Sequence, residues 1–400
     1  MILKNAKIIS PADNLDEILD IKIEDGVIVD VSRNIVGRDC YPDSIDFEGK
    51  IIVPGFVDMH CHLREPGFEY KETIETGLKA AQNGGYVAVC PMANTNPVAD
   101  NVETIKYELD KAKNLGVKVF PIAAASKGLN GEELTDFEAL KEAGAVAFSD
   151  DGKPFKDMEL FRKMLQTGEL IISHAEDEAD EVEEELEILK NVSGQSVCNL
   201  HFAHISTKHA VESIRKAKEE GLQVTCETAP HYFTFTKEDE TADGRFKMNP
   251  PLRTKDDLEA VIEGLKDGTI DCIATDHAPH SLEEKTKPFS EAPFGIVGFE
   301  TALGVSLKLV QDGYLTINQL IEKLSVNPTK ILGLSSFGSI KIGQKANLTI
   351  IDPDVEYIVK AEEFKSKCKI SPFEGMIFKG KAIAVIVNGY PSPKFSNTRE

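Results

Sequence analysis

Eight short apolar runs, separated by stretches of helical periodicity, fill the middle of this chain and restrict its fold more than any other feature. The runs are Ile52–Met59, Tyr86–Pro91, Val117–Ala124, Ala145–Ser149, Leu170–His174, Asn199–Ile205, Gln223–Thr228 and Asp271–Thr275. Amphipathic stretches such as Lys71–Asn83, Val102–Leu115, Lys208–Glu219 and Lys255–Lys266 lie between them. Repeated strand–helix order implies a parallel sheet with crossover helices, because tight hairpins join only antiparallel neighbours. Eight such units predict an α/β fold, a closed TIM-like (β/α)8 barrel over residues 51–337. No glycine-rich phosphate fingerprint follows the first strand, which counts against a dinucleotide fold.

The two ends read differently. ILDIKIEDGVIVDVS alternates apolar and polar residues about Asp25-Gly26, a hairpin signal. SIKIGQKANLTIIDP and AIAVIVNGYPSP repeat that β-rich character near the other end. Together they predict one small β-sandwich domain built from both termini, residues 1–50 and 338–400.

The formal net charge of −22 argues against nucleic acid and anionic membranes as partners, since both need basic patches. Much of the excess lies in Glu176–Glu187, read as a solvated helix face. No apolar run approaches the ~18 residues that span a bilayer, and MILKNAKIIS carries no signal-peptide pattern. The seven cysteines (40, 61, 90, 198, 226, 272 and 368) are scattered, odd in number and without CxxC spacing. They read as reduced, buried thiols of a cytoplasmic protein.

Chemistry concentrates where the strands end. The first strand runs into Asp58-Met59-His60-Cys61-His62-Leu63-Arg64, and strand alternation puts His60, His62 and Arg64 on one face. Two imidazoles two residues apart can chelate one metal ion. The fourth strand ends in Ser149-Asp150-Asp151, the fifth in His174, the sixth in His204 and the eighth in Asp276-His277-Ala278-Pro279-His280. Five strand ends bearing His or Asp coincide with the mouth where barrel active sites lie. Burying that many unpaired polar groups would cost several kcal/mol each. His60, His62, Asp151, His174, His204 and Asp276 suit zinc, and six ligands suit two ions better than one. Bound metal lowers the pKa of water from about 15.7 towards 7. Arg64 can grip a carboxylate through paired hydrogen bonds, His280 can add a second anion contact, and Asn94 offers both donor and acceptor.

The order VPGFVDMHCHLREPG, MANTNP, FSDDGKP, HAED, HISTKHAVESIRKAK, NPPLR, ATDHAPH and EAPFGIVGFETAL closely resembles bacterial dihydroorotases of the longer, two-domain type, in the amidohydrolase superfamily. The match runs from about residue 50 to 335. The resemblance implies reversible cyclisation of N-carbamoyl-L-aspartate to L-dihydroorotate in pyrimidine synthesis. It implies that His60, His62 and Asp276 bind one zinc and His174 and His204 the other. Asp151 would bridge them where many relatives hold a carboxylated lysine, and Asp150 would not be a ligand. Arg64, Asn94 and His280 would meet the substrate carboxylate, with Asn249, Phe294 and Gly295 lining the ring and Asp276 as general base. His62 is expected to touch substrate as well as metal. The resemblance further implies a homodimer, with aspartate carbamoyltransferase as a further partner. Departures are Ala93, Ala175, Tyr232 and a shorter connection between His174 and His204. His201, His209, His231 and His277 read as structural. Two rivals stay open: a dihydropyrimidinase, hydantoinase or allantoinase, and a non-catalytic partner of aspartate carbamoyltransferase.

Overall fold

The structure, a computed structural model, describes residues 1–35, 37, 43–175, 179–192 and 199–392. The strands are β1 (Ile2–Ser10), β2 (Leu15–Glu24), β3 (Val27–Ser32), β4 (Ser44–Asp46), β5 (Ile51–Pro54), β6 (Phe56–Cys61), β7 (Tyr86–Pro91), β8 (Lys118–Val119) and β9 (Ile122–Ala124). They continue as β10 (Ala147–Ser149), β11 (Leu170–Ser173), β12 (Asn199–Phe202), β13 (Val224–Thr228), β14 (Cys272–Ile273), β15 (Leu348–Ile358), β16 (Ile377–Val387) and β17 (Tyr390–Pro391).

Strands β6 to β14 form the barrel in two arcs, β6-β7-β8 and β9-β10-β11-β12-β13-β14, with parallel pairing throughout. The third predicted strand is broken into β8 and β9 around Phe120-Pro121; proline has no N–H to give to a ladder. Here β8 pairs with β7 and β9 with β10. The ring closes where the first and last strands meet. Cys61 bridges His277 in parallel, the His62 N–H donates to His277 O at 2.8 Å, and the Thr275 N–H donates to Asp58 at 2.9 Å.

The outer helices start where a side chain can cap them. Thr73, Thr207 and Thr254 accept backbone N–H groups at the starts of Ile74–Gly84, Lys208–Glu219 and Lys255–Asp267. The first helix therefore begins three residues later than its periodicity suggests. Its inner face buries Ile74, Leu78 and Ala81 against the barrel.

Both ends of the chain join one eight-stranded sheet, ordered β17-β16-β15-β5-β1-β2-β3 with β4 beside β1. One face lines a core of its own with Leu3, Ile8, Ile21, Ile52 and Ile350, while Ile9, Val53 and Ile351 join the barrel core. The run Ile52–Met59, read as one strand, is two: β5 belongs to this sheet and β6 to the barrel. Gly55 separates them, and a Cβ there would lie 2.3 Å from Val87 Cγ2, so the close packing of Val87 at this junction leaves room only for glycine.

The acidic run is a helix over Ala179–Val192, exposed at Glu183, Glu184 and Glu187, but Glu185 turns inward, against the solvated reading. Glu176 and Asp177 lie outside the described residues, as do Cys40 and Cys198. Cys61, Cys90, Cys226, Cys272 and Cys368 are free and buried. Among the described residues no helix is long and apolar enough to cross a membrane.

Candidate metal centre

All six predicted ligands lie at the mouth formed by the C-terminal ends of the strands. His60 is in β6, His62 one residue past it, Asp151 two past β10, His174 one past β11, His204 two past β12 and Asp276 three past β14. Asp151 Oδ2 lies 3.2 Å from His60 Nε2, 3.5 Å from His62 Nε2 and 3.1 Å from His174 Nε2. Asp276 Oδ1 lies 3.2 Å from His62 Nε2 and 3.5 Å from His60 Nε2. Two metal-capable groups result, His60–Asp151–His174 and His60–His62–Asp276, each with its ligand atoms within 4.8 Å of one another. His204 belongs to neither, but its ring stands 5.4 Å from that of His60 and 4.8 Å from that of His174.

The donor set fits a metal. His174 Nε2 and His204 Nδ1 are buried without a hydrogen-bond partner, a state buried polar atoms rarely tolerate. The far side of each of three rings is held by an acceptor. His60 Nδ1 meets Glu227 Oε1 at 2.8 Å, His62 Nδ1 meets Asn94 Oδ1 at 3.0 Å and His174 Nδ1 meets Ser149 Oγ at 3.1 Å. The Ser149 hydroxyl donates to Ile172 O, so it accepts from His174. Each Nδ1 then carries a proton, which fixes the ring so that Nε2 faces the centre, where a metal would take its lone pair.

Electrostatics agree. Burial alone would push both carboxyls up, but the imidazoles around them prevail. His62 and His174 hold Asp151, and His62 and His60 hold Asp276, well below the usual carboxylate range. Burial, then the fields of His174 and His60, push His204 down to about 3, so at pH 7 it is the neutral imidazole a metal requires. Asp150 turns away from the centre and accepts from the Ser126 N–H at 2.8 Å and from its hydroxyl.

A cavity of about 500 Å³ opens over these ligands. His62, Arg64, Asn94, Asn249, Phe294 and Gly295 line it as expected; His280 does not. His280 stands behind the wall, its Nε2–H donating to Phe294 O at 2.6 Å beside Arg64 Nη2 at 3.3 Å. The Arg64 Nε–H donates to Pro279 O at 3.1 Å. Asn94 also donates to Asp151 Oδ1 at 2.9 Å, so it spans two of the ligands. A Cβ on Gly295 would lie 2.6 Å from Ala278 O, which explains the glycine at this wall. A second cavity, of about 420 Å³, lies among the strand starts Leu170, Asn199, Val224 and Asp271 and contains none of the predicted site residues.

The histidines read as structural have distinct surroundings. His209 is exposed and paired with Glu183 at 2.9 Å. His277 stacks on Phe299 and accepts from the Gly298 N–H. His231 is buried beside Tyr232. His201 is fully buried, with Nε2 3.4 Å from Glu227. Sequence reasoning missed Glu227 and Ser149. Glu227 carried a signal: it is the lone acid in the otherwise apolar and neutral run QVTCETAP at the seventh strand's end.

Residues 51–391 match the model of the amidohydrolase family, a metal-dependent group. The dihydroorotase of Acetivibrio thermocellus is 46% identical over 419 residues, covering 97% of this chain and 98% of that protein. The dihydroorotase of Trichlorobacter lovleyi is 44% identical, covering 97% and 98%. Among solved structures, the L-hydantoinase (dihydropyrimidinase) of Arthrobacter aurescens superposes with a TM-score of 0.85 at 26% identity, covering 98% of this chain and 95% of that one. The fold, the clustered ligands and these likenesses converge: the chain belongs to the amidohydrolase family and, within it, to the dihydroorotases.

Proposed function

We propose that this chain interconverts N-carbamoyl-L-aspartate and L-dihydroorotate in pyrimidine biosynthesis, using two zinc ions per subunit. The observation that carries the reading is the convergence of both metal-capable groups on one cavity walled by Arg64. His60, His62 and Asp276 would hold one ion and His174 and His204 the other, with Asp151 between them. Held there, zinc would supply Lewis acidity for the amide carbonyl and lower the pKa of water towards neutrality.

The protein's own groups do the rest. Arg64 takes the substrate carboxylate in paired hydrogen bonds, Asn94 completes the anion pocket, His280 backs Arg64 and the Phe294 carbonyl from behind the wall, and His62 adds a contact from the metal side. Asn249 and the Phe294-Gly295 backbone flank the ring. For ring opening, water adds to the amide carbonyl carbon and gives up a proton to the Asp276 carboxylate, which returns it to the ring nitrogen as the C–N bond breaks. Cyclisation retraces the path.

A hydantoinase-type enzyme shares the barrel, but Arg64 favours a substrate that bears a carboxylate. The test is hydrolysis of dihydroorotate, dihydrouracil and hydantoin by wild type and Asp276→Asn, with metal content measured on both. We expect turnover of dihydroorotate alone and a loss of about 100- to 10,000-fold in kcat for the folded mutant. Near-normal turnover in Asp276→Asn would remove it from proton transfer. Opening of dihydrouracil without dihydroorotate would favour the rival, and absence of zinc with no gain on adding it would favour the non-catalytic partner. The reading extends to a cytoplasmic homodimer. Light scattering with and without aspartate carbamoyltransferase tests both the dimer and that association.

A further inference from the structure

His60 is the imidazole common to both metal-capable groups. It is also the one whose Nδ1 meets a carboxylate, Glu227 Oε1 at 2.8 Å, whereas His62 and His174 meet the neutral Asn94 and Ser149. Glu227 lies near the end of β13, opposite Cys272 of β14, and is buried. Its second oxygen faces His201 Nε2 at 3.4 Å, and His201 Nδ1 lies 2.8 Å from Thr225 Oγ1. His201, Glu227 and His60 thus form a buried line that ends at the centre, with Thr225 at its outer end. Packing alone does not call for a carboxylate there, since burying one is costly unless it is paired and hydrogen-bonded. Glu227 is not among the residues lining the cavity, so it has no path to substrate.

We propose that Glu227, backed by His201, is a positioning residue for the metal centre. It holds the Nδ1–H of His60, fixes the ring so that Nε2 faces Asp151 and Asp276, and makes that imidazole the strongest nitrogen donor of the set. His201, with Nε2 3.4 Å from the second Glu227 oxygen, stands behind the carboxylate and limits where it can turn. The inference rests on His60 being a metal ligand.

The test is chelator competition for Zn²⁺ with wild type, His60→Ala, Glu227→Gln and His201→Leu, alongside visible spectra of the cobalt-substituted proteins. Glu227→Gln keeps the shape and an acceptor but removes the charge. We expect its zinc affinity to fall about 10- to 100-fold, with the far-ultraviolet circular dichroism retained and the cobalt bands shifted. His201→Leu is expected to move affinity the same way by a smaller factor. A wild type that binds no zinc, or His60→Ala binding as tightly as wild type, would overturn the metal-centre reading itself. If His60→Ala loses zinc while folded Glu227→Gln keeps both affinity and cobalt spectrum, the metal centre stands and the positioning role falls. Should Glu227→Gln fail to fold, His201→Leu decides, and wild-type affinity in that protein overturns the relay.

Discussion

Arg64, His204 and Asp276 hold φ at 63°, 38° and 44°, a backbone region that residues with a Cβ seldom adopt. Each costs on the order of 1 kcal/mol or more, and such strain persists where surrounding structure over-determines it, characteristically at functional sites. For Arg64 the cause is visible. Alternation predicts one shared face for His60, His62 and Arg64, but β6 ends at Cys61. Arg64 reaches the cavity instead through a left-handed backbone and the Pro279 carbonyl. Lysine would keep the charge and lose the fork that serves Pro279 and a carboxylate together. Arg64→Lys is expected to raise the KM for dihydroorotate about 10-fold or more while changing kcat less, since a hydrogen bond to a charged group contributes about 1.5–3 kcal/mol. Steady-state kinetics check this, and a KM within about twofold of wild type would remove Arg64 from the carboxylate contact.

At the scale of elements, the helix Ala179–Val192 shows what a charge run conceals. Glu183, Glu184 and Glu187 face water, but Glu185 is buried and takes the Ser173 hydroxyl at 2.7 Å. A local reading could not separate one glutamate from its neighbours; the packing of this helix against β11 does. Burial pushes the Glu185 carboxyl up to about 8, with Ser173 pulling it down and Glu181 and Glu184 adding to the rise. The folded pKa lies above the ordinary 4.5, so the folded state binds this proton more tightly. That stabilisation is complete below about pH 4.5 and is lost as pH rises towards 8. Glu185→Gln keeps a neutral side chain at every pH. It should be more stable than wild type at pH 8, by on the order of a few kcal/mol, and so unfold at a higher temperature there, with the gap closing at pH 5. Calorimetry at the two pH values measures it, and equal midpoints at pH 8 would show that the buried charge is relieved by its surroundings.

For the whole molecule, the ligands come from β6 and the segments following β6, β10, β11, β12 and β14, so ions bound among them would tie distant parts of the barrel together. The barrel and the terminal sheet each have an apolar core of their own, so the fold is expected to stand without the ions. Chelation is therefore expected to lower Tm by about 5 °C without changing the circular dichroism spectrum, and zinc should restore it. A ligand present at 100 times its Kd contributes about 2.7 kcal/mol. A Tm indifferent to both treatments would argue against a bound metal.

The amino-acid sequence by itself determined the barrel, the β-rich ends and the set of metal-capable residues, because hydrophobic period and polar strand ends are local properties of the chain. Only the tertiary structure decided the pairings. It brought Asp151 Oδ2 to three imidazoles, set Glu227 behind His60, moved His280 behind the cavity wall and split the first strand at Gly55. It also closed the ring through Asp58 and Thr275, 217 residues apart. Such contacts depend on the register of strands that meet only when the sheet curls shut, and no short window of sequence encodes that register.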